Sequence, residues 1–240
     1  KDNGGLDPSI TTEAYQGSYA ANLTTGGQHT SFSRVIKQFQ PVDEVYMRAM
    51  VNFTELPDTD STGIWALRYA NSTEDYLCVA GIHRNSTSHQ VWRISTKPSQ
   101  TFYNGTTAPV ANTWYEMEMV LNVTTTNARI ILWVDNVVYF NETLGDLSAY
   151  GQIARCYPQC YIHGTSMSDA KTVIIDNVAV DNKRIGSGTP RIFQVGAFYV
   201  DVGETSPLED VKINGTHLTD ASGYYEWTDL AYNTVYTFVV

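Results

Sequence analysis

The sequence predicts an all-β protein whose strands pack as a sandwich of sheets. Short runs rich in Val, Ile, Tyr, Phe and Trp recur along the chain, and turn-forming residues separate them. The apolar repeat of about 3.6 residues that marks an amphipathic helix is absent, and only residues 144–150 suit a single helical turn. Short strands at this spacing are typical of a β-sandwich.

The centre of the chain predicts a β-meander of three strands, at residues 114–123, 128–134 and 137–141. Asp135-Asn136 forms the second turn, because both residue types tolerate the positive φ angles of a tight hairpin. Strand alternation predicts which side chains of the first strand enter the core: Tyr115, Met117, Met119, Leu121 and Val123. An earlier strand has the same pattern, with Val45, Met47, Ala49, Val51 and Phe53 inward.

The turn of the next hairpin indicates which face of its two strands points into the core. Residues that oppose each other across the turn share a face; Trp133 opposes Val138 and Ile131 opposes Phe140, so these four lie on one face. Asn141 belongs to the other face and begins a glycosylation sequon, so that face points outward if a glycan is attached. We therefore expect Trp133 and Phe140 in the core.

Three stretches resemble laminin-G-like and concanavalin-A-like jelly-roll domains. They are Y-Q-G-S-Y-A at residues 15–20, N-T-W-Y and L-W-V-D-N-V-V within residues 112–138, and I-I-D-N-V-A-V at residues 174–180. The similarity covers roughly residues 6–185, and we assign residues 1–185 to this domain. The resemblance implies a fold but no single activity, because such domains include lectins, glycosidases, lyases, adhesion modules and spacers.

A second, smaller domain is predicted after a linker at residues 186–190, where the composition changes to Gly, Ser, Thr and Pro. Residues 191–240 contain four or five short strand-like runs, and Asn214-Gly215 is a strong hairpin signal. The pattern V-K-I-N-G, then G-Y-Y-E-W-T-D-L and Y-T-F, resembles carboxypeptidase-regulatory-like and immunoglobulin-like modules. It implies a small immunoglobulin-like β-sandwich.

Glycosylation sequons predict a secreted or cell-surface protein. Eight of the 15 Asn residues begin Asn-x-Ser/Thr, whereas the Ser and Thr content gives roughly three by chance. The predicted N-glycosylation sites are Asn22, Asn52, Asn71, Asn85, Asn104, Asn122, Asn141 and Asn214. The alternative is a Thr-rich β protein with accidental matches.

Charge and hydropathy disfavour two classes of partner. The 25 acidic and 15 basic residues give a net charge of −10, which disfavours nucleic acid. No apolar run approaches the roughly 20 residues of a membrane span. The chain begins at Lys1 without a signal-like apolar segment, which indicates a mature or trimmed chain.

The cysteines allow more than one pairing. Cys156 and Cys160 flank Tyr-Pro-Gln and predict a small disulfide loop, whereas Cys78 lies in a buried-strand pattern and predicts a free thiol. The odd number also allows Cys78 to pair with either of the others. Zinc bound by Cys156, Cys160 and His163 is an alternative, but a fourth ligand is not evident nearby.

A structural calcium ion is implied by the jelly-roll resemblance, and no other cofactor is expected. Related modules often hold calcium between carboxylates of their first and last strands. The corresponding residues here are Glu13 and Asp176, and backbone carbonyls could complete the six to eight oxygen ligands. Ordinary acidic residues at a sheet edge are the alternative.

Carbohydrate chemistry has two sets of candidate residues. Glu116 and Glu118 lie about 7 Å apart on one strand face, between the separations used by retaining and inverting glycosidases. Related glucanases carry a Glu-x-Asp-x-x-Glu strand that has no match here, so we predict a solvent-exposed, non-catalytic pair. Aromatic candidates for stacking on sugars are Trp65, Trp92, Trp114, Tyr69 and Tyr103.

These observations predict a non-catalytic, glycosylated extracellular protein with a structural or adhesive role. The C-terminal module ends in an apolar run, and an open sheet edge there would accept residues 1–12 of a neighbouring subunit, which would build a filament. Alternatively, Val240 is a boundary within a longer protein. A carbohydrate-binding module is the alternative function, followed by a glycoside hydrolase or a polysaccharide lyase.

Overall fold

The computed structural model describes only part of the chain. Side chains and backbone are described for residues 7–26, 31–85, 89–98, 101–102, 107–124, 128–163 and 170–186. Strand backbone alone is described at residues 100, 103–104, 191–196, 198–201, 204–207, 212–213, 217–218 and 224–230. The chain divides into two compact units, Lys1–Ser187 and Gly188–Val240.

The first unit is a sandwich of two antiparallel sheets. In chain order its elements are β1 (Ser9–Thr11), β2 (Ala20–Thr24), β3 (Phe32–Arg34), β4 (Lys37–Val42), β5 (Glu44–Phe53), β6 (Thr62–Ala70), β7 (Tyr76–Arg84), β8 (Gln90–Thr96), β9 (Gln100–Asn104), β10 (Trp114–Asn122), β11 (Arg129–Val134), β12 (Val137–Thr143), the 3-10 turn η1 (Ser148–Tyr150), β13 (Ile153–His163) and β14 (Thr172–Asp181). Sheet A has the order β1-β2-β14-β5-β10-β11-β12. Sheet B has the order β3-β13-β6-β7-β8-β9, and β4 also pairs with β13. The predicted all-β sandwich is confirmed.

The core lies between the inner faces of the two sheets. Strand alternation in β5 and β10 is as predicted, and Met47 opposes Met119 where these strands pair. All five inward residues predicted for β5 belong to one apolar cluster with their counterparts in β10. Sheet B contributes Ile64, Ala80 and Ile94 from three neighbouring strands to the same cluster.

The meander of β10, β11 and β12 is confirmed. The prediction of which β11 side chains point into the core is wrong. The register shifts by a bulge next to Trp133, so that Leu132 rather than Ile131 opposes Phe140. Phe140 remains in the core and Asn141 remains outside, as expected. The residues of β11 that enter the core are instead Ile130, Leu132 and Val134.

Trp133 therefore lies on the outer face of sheet A. Its ring is covered by the guanidinium of Arg184, whose central carbon is 4.5 Å from the ring centroid. Only 7 % of the side chain is exposed. The tryptophan is thus buried as expected, but against the segment after β14 and not between the sheets.

That segment, residues 182–186, is called the cover segment here because it crosses the outer face of sheet A. The carboxylate of Glu118 accepts the backbone N–H groups of Ile185 at 2.6 Å and Gly186 at 2.8 Å. Arg48 donates to the carbonyl oxygen of Gly186 at 2.6 Å. Glu118 and its neighbour Glu116 share a strand face as predicted, yet they are buried rather than solvent-exposed. The predicted exposure is wrong because the cover segment lies over them.

The second unit is described by three pairs of antiparallel strands. They are β15 (Arg191–Gly196) with β20 (Tyr224–Leu230), β16 (Phe198–Asp201) with β17 (Glu204–Pro207), and β18 (Lys212–Ile213) with β19 (His217–Leu218). The immunoglobulin-like fold stays a prediction, because its side chains lie outside the described residues. The predicted apolar terminal run, residues 235–240, also lies outside them.

The segment proposed as a strand donor already has a partner. Ser9–Thr11 forms β1, and Ile10 opposes Ala21 in the same chain. These residues are therefore part of sheet A, while residues 1–6 lie outside the described part. In the described residues, no helix has the length and apolar character that crossing a bilayer requires.

Candidate functional site

A cleft of about 230 Å³ lies on the outer face of sheet B. Its lining comes from four neighbouring strands, β13, β6, β7 and β8. The lining residues are Trp65, Arg68, Tyr76, Val79, Arg93, Ser95, Tyr161 and His163. Side chains at every second position of a strand point to one face, so adjacent strands bring these residues together.

The pairing register arranges the cleft in rows across the strands. Tyr161 opposes Trp65, Trp65 opposes Gly81, and Gly81 opposes Arg93. Because Gly81 has no side chain, Trp65 and Arg93 meet above it, with the guanidinium carbon 5.3 Å from the indole centroid. This row forms the middle of the cleft.

Two further rows flank this one. On one side, Arg68 opposes Val79, which opposes Ser95. On the other side, His163 opposes Gly63, and Gly63 opposes His83. Cationic and aromatic groups from sequence positions almost 100 residues apart thus share one surface.

Gly81 is required by close approach of the backbone. A β carbon at this position would lie 2.1 Å from the carbonyl oxygen of Ile64 and 2.8 Å from Cα of Trp65. The register between β6 and β7 shifts between Trp65 and Leu67, which brings the two backbones together at this point. The glycine therefore supports the floor of the cleft and the position of Trp65.

The cleft is cationic although the whole chain carries a net charge of −10. Among the described residues, its lining contains two arginines and no Asp or Glu. Burial is the main cause that lowers the pKa of Arg68, and the neighbouring Arg34 also lowers it. An arginine in these surroundings remains charged. Its interaction with an anion is stronger than at an open surface, because less water screens it.

Two titratable groups at the cleft, His83 and Tyr161, are held in their neutral forms near neutral pH. Burial, assisted by the charge of Arg93, lowers the pKa of His83 to about 4. Burial raises the pKa of Tyr161, and the charge of Arg68 opposes that shift only in part. A protonated phenol is a proton donor, and a neutral imidazole can accept a proton.

The aromatic residues predicted to stack on sugars are mostly elsewhere. Trp65 lines the cleft, but it is only 2 % exposed because Arg93 covers it. Trp92 and Tyr69 are in the core, and Trp114 lies half-buried on sheet A. The side chain of Tyr103 lies outside the described residues.

Sequence reasoning missed Arg68, Arg93 and Tyr161, although a signal existed. Residues 155–163 carry Arg, Tyr, Gln, Tyr and His at every second position, which is the period of a strand with a polar outer face. The segment was interpreted as a disulfide loop instead. Its role in a cleft also depends on its pairing with β6, which the sequence does not provide.

The predicted disulfide is wrong. Cys156 and Cys160 are free thiols on the continuous strand β13, with both side chains in the core. Four residues of strand span about 13 Å, which is well beyond the Cα separation of a disulfide. Cys78 is a free buried thiol as predicted. His163 is exposed on the opposite face of β13, so the zinc ligands considered above are not brought together.

The calcium prediction does not fit the residues present. Asp176 accepts backbone N–H groups from Gln16 at 2.9 Å and Asn177 at 2.6 Å, while Glu13 is exposed. Within the described ranges, no group of three or more His, Cys, Asp or Glu residues could hold a metal ion. The segment before β2 does contact β14. It does so through the backbone N–H of Gln16, which donates to the carboxylate of Asp176.

The sequon residues differ in accessibility. Asn141 is exposed, and the half-buried ones are Asn22, Asn71, Asn85 and Asn122. Asn52 is only 8 % exposed, in contrast to its expected exposure, although it lies on the predicted outer face. The side chains of Asn104 and Asn214 lie outside the described residues.

No family model matches this sequence, and no curated protein matches it. Similar folds do occur among solved structures. An endo-β-1,4-glucuronan lyase from the fungus Trichoderma reesei is 13% identical with a TM-score of 0.57, over 76% of this chain and 89% of that chain. An alginate lyase from Klebsiella pneumoniae is 9% identical with a TM-score of 0.50, over 72% and 84% of the two chains. A botulinum neurotoxin type C structure is 10% identical with a TM-score of 0.51, over 74% and 42%.

These structures establish the jelly-roll sandwich of the first unit. They contradict the prediction of a non-catalytic structural or adhesive protein, because two of these jelly-roll structures are polysaccharide lyases, which are enzymes. The correction agrees with the cleft on sheet B, which a purely structural protein does not require.

Proposed function

We propose that this protein is a polysaccharide lyase that cleaves a uronate-containing polysaccharide in the cleft of sheet B. The observation that carries the proposal is the placement of Arg68 and Arg93 beside Tyr161 and His163. This set combines cations for a substrate carboxylate with groups that can move protons. The similar lyases act on glucuronan and alginate, which are anionic polysaccharides, and this supports the same substrate class.

The reaction is a β-elimination within one uronate unit. The bond between C5 and its hydrogen breaks, a double bond forms between C4 and C5, and the bond from C4 to the glycosidic oxygen breaks. The departing oxygen takes up a proton, so the reaction consumes neither water nor an external oxidant. Neutralising the C5 carboxylate makes the C5 proton more acidic, and this is the step for which cationic groups are needed.

The cleft offers a residue for each part of this reaction. Arg68 and Arg93 would bind the substrate carboxylate and stabilise the negative charge that develops next to C5. His163 is exposed at the end of β13 and would accept the C5 proton. Tyr161, whose raised pKa keeps its hydroxyl protonated, would donate to the glycosidic oxygen.

Hydrolysis is a poorer fit to the same cleft. Glycosidases use a pair of carboxylic side chains on opposite sides of the bond that they cleave. The described lining of the cleft has neither Asp nor Glu, and Glu116 and Glu118 are on the other sheet beneath the cover segment. The residues present therefore support elimination over hydrolysis.

Binding of an anionic polysaccharide without cleavage is the second candidate function. It is supported by Tyr76 and Tyr161, which are partly exposed aromatic rings in a cationic cleft. Rings of this kind stack on sugar faces and need no proton transfer. Only a measurement of cleavage separates the two functions.

We also propose that the protein acts outside the cell and carries N-linked glycans. The excess of sequons supports this location, and a polymeric substrate outside the cell is consistent with it. Self-association through residues 191–240 stays a prediction, since the side chains involved lie outside the described residues.

The test is to incubate the full chain with polyglucuronate, alginate and a neutral β-glucan. Elimination produces a conjugated double bond, so ultraviolet absorbance should rise with the polyuronates and not with the glucan. Tyr161→Phe and Arg93→Gln should each lower this rate at least about 100-fold. Tyr46→Phe, on the outer face of sheet A, is the matched control and should keep the wild-type rate.

Two results would decide against the lyase. Polyuronate binding without any new absorbance in the wild type would establish the second candidate function. If the Tyr161→Phe variant cleaves polyuronate at the wild-type rate, the reaction does not take place in this cleft.

A further inference from the structure

At the end of the cleft where Tyr76 lies, three arginines contact Glu74. Arg34 on β3 lies with Nη2 3.3 Å from its carboxylate, and Arg155 on β13 forms a second ion pair with it. Arg68, which also lines the cleft, donates to the backbone carbonyl of Glu74 at 2.5 Å. The cluster therefore touches the cleft through Arg68 and continues away from it along β13.

Aromatic rings hold the guanidinium groups in position. The Arg34 guanidinium lies 4.8 Å from the centroid of the Tyr157 ring, and that of Arg68 lies 5.0 Å from the same ring. Phe32 adds a second ring 4.6 Å from Arg34. Arginines stacked in this way are preorganised, so less conformational entropy is lost when an anion binds.

Glu74 reaches this cluster from a constrained turn between β6 and β7. Its φ is +71°, a left-handed conformation that a residue with a side chain adopts at some cost. Asn71 fixes the turn, because its side-chain oxygen accepts the backbone N–H groups of Thr73 at 3.0 Å and Asp75 at 2.9 Å. The turn thus delivers a carboxylate to a surface that otherwise presents positive charge.

The charges in this cluster do not balance. The Glu74 carboxylate pairs with two guanidinium groups and its backbone carbonyl accepts from a third, so the cluster carries more positive than negative charge. The Nε atom of Arg68 is buried and donates to no described protein atom. Buried donors without an acceptor are unfavourable, so a second anion at this point would be stabilised.

We propose that Arg34 and Arg155 form a second carboxylate-binding subsite, which Glu74 occupies until a polyuronate chain displaces it. The inference rests on the proposed function for the identity of the ligand. Six residues of β13 separate Arg155 from Tyr161, a distance of about 20 Å, which several linked sugars can span. Glu74 then selects for long chains, since only these extend from Tyr161 to the subsite.

Displacement of Glu74 is energetically feasible. Its side chain is 48 % exposed, whereas the side chains of Arg34 and Arg155 are 16 % and 15 % exposed. Ion pairs with an exposed member contribute little to stability, because water solvates the freed carboxylate. A chain already bound in the cleft presents its next carboxylates at high effective concentration, which favours exchange.

The experiment compares binding of polyglucuronate oligosaccharides of increasing length to the full-length wild type and Glu74→Gln, by calorimetry. Long oligosaccharides should bind Glu74→Gln roughly three- to tenfold more tightly, and those that fill only the cleft should bind equally. Asp60→Asn is the matched control, because it removes the same charge from an exposed pair with Arg84. Equal affinities of Glu74→Gln and the wild type for long oligosaccharides would overturn the proposal.

A second variant guards against a folding defect. Glu74→Asn removes the charge and suits the left-handed turn, because Asn adopts positive φ readily. The gain in affinity should be the same and should disappear when Arg155→Gln is added. Binding without cleavage would reject the lyase and leave this subsite supported, whereas a failure of both Glu74 variants to bind polyuronate would reject the subsite itself.

Discussion

The carboxylate of Glu118 on β10 accepts the backbone N–H of Ile185 at 2.6 Å, and this contact ties the end of the first unit to sheet A. The neighbouring Arg184 adds an ion pair at 3.8 Å and covers Trp133. Glu118 is therefore buried without being an isolated charge, since its oxygens have amide and guanidinium donors. Buried polar contacts, rather than apolar packing, hold the cover segment against sheet A.

Glu118→Ala should lower the free energy of unfolding by about 3 kcal/mol, because it leaves two amide groups and Arg184 without their acceptor. Urea unfolding followed by tryptophan fluorescence measures this loss, and Trp133 should also report exposure of its ring. Glu13→Ala, at an exposed position, is the control and should have little effect. A loss below about 0.5 kcal/mol for Glu118→Ala would show that the cover segment is not anchored there.

Gly81→Ala should be strongly destabilising, because the added methyl group would collide with backbone atoms of Ile64 and Trp65. Backbone cannot rotate away as a side chain can, so we expect a loss of at least about 3 kcal/mol. Gly145→Ala is the matched control, since nothing lies within 4 Å of its added carbon. Thermal unfolding of both variants by circular dichroism provides the measurement. A Gly81→Ala variant as stable as Gly145→Ala would contradict the close approach of β6 and β7.

Local strand pattern was enough to predict the sandwich and the inner faces of β5 and β10, because each buried face repeats every two residues. It failed at Trp133, where a bulge changes the register without any Gly or Pro to mark it. It failed again at Glu118, where the pattern predicted the face but not the cover segment above it. The cleft residues Arg68 and Tyr161 meet only through pairing of β6 with β13, and long-range pairing is not encoded in a single strand.

Stability should fall on acidification because of His83. Burial lowers the pKa of His83 to about 4 in the folded protein, below its ordinary value of 6.5. As the pH drops from 6.5 towards 4, the unfolded chain binds the proton first, so the folded state loses up to about 3 kcal/mol of stability. Above pH 6.5 this contribution is fully present. Unfolding midpoints measured from pH 7 to pH 4 should show the loss.

The His83→Gln variant should flatten this pH dependence, because glutamine does not titrate. His89→Gln, which changes an exposed histidine, should retain the wild-type profile. If His83→Gln and the wild type lose stability in parallel, the acid sensitivity lies in other groups.

All three cysteines should be unreactive in the folded protein and reactive after unfolding. Cys78, Cys156 and Cys160 are buried free thiols, and burial raises the pKa of each, which suppresses the thiolate. A thiol reagent should therefore modify about three groups per chain in denaturant without reductant, and almost none before. A value near one would show that two of the three cysteines form a disulfide.

Asn52 should carry no glycan in the folded protein, whereas Asn141 should carry one when the chain is produced in a host that glycosylates such sequons. Asn52 lies between Trp114 and Ile174 on sheet A and is 8 % exposed, which leaves no room for a sugar. Asn141 is exposed on the edge strand β12, although Arg129 donates to its side-chain oxygen at 2.8 Å. Glycopeptide mass spectrometry of the protein from such a host determines the occupancy of both sites. Asn141→Gln should remove one glycan mass and Asn52→Gln none, so a glycan found on Asn52 would contradict the packing of this face.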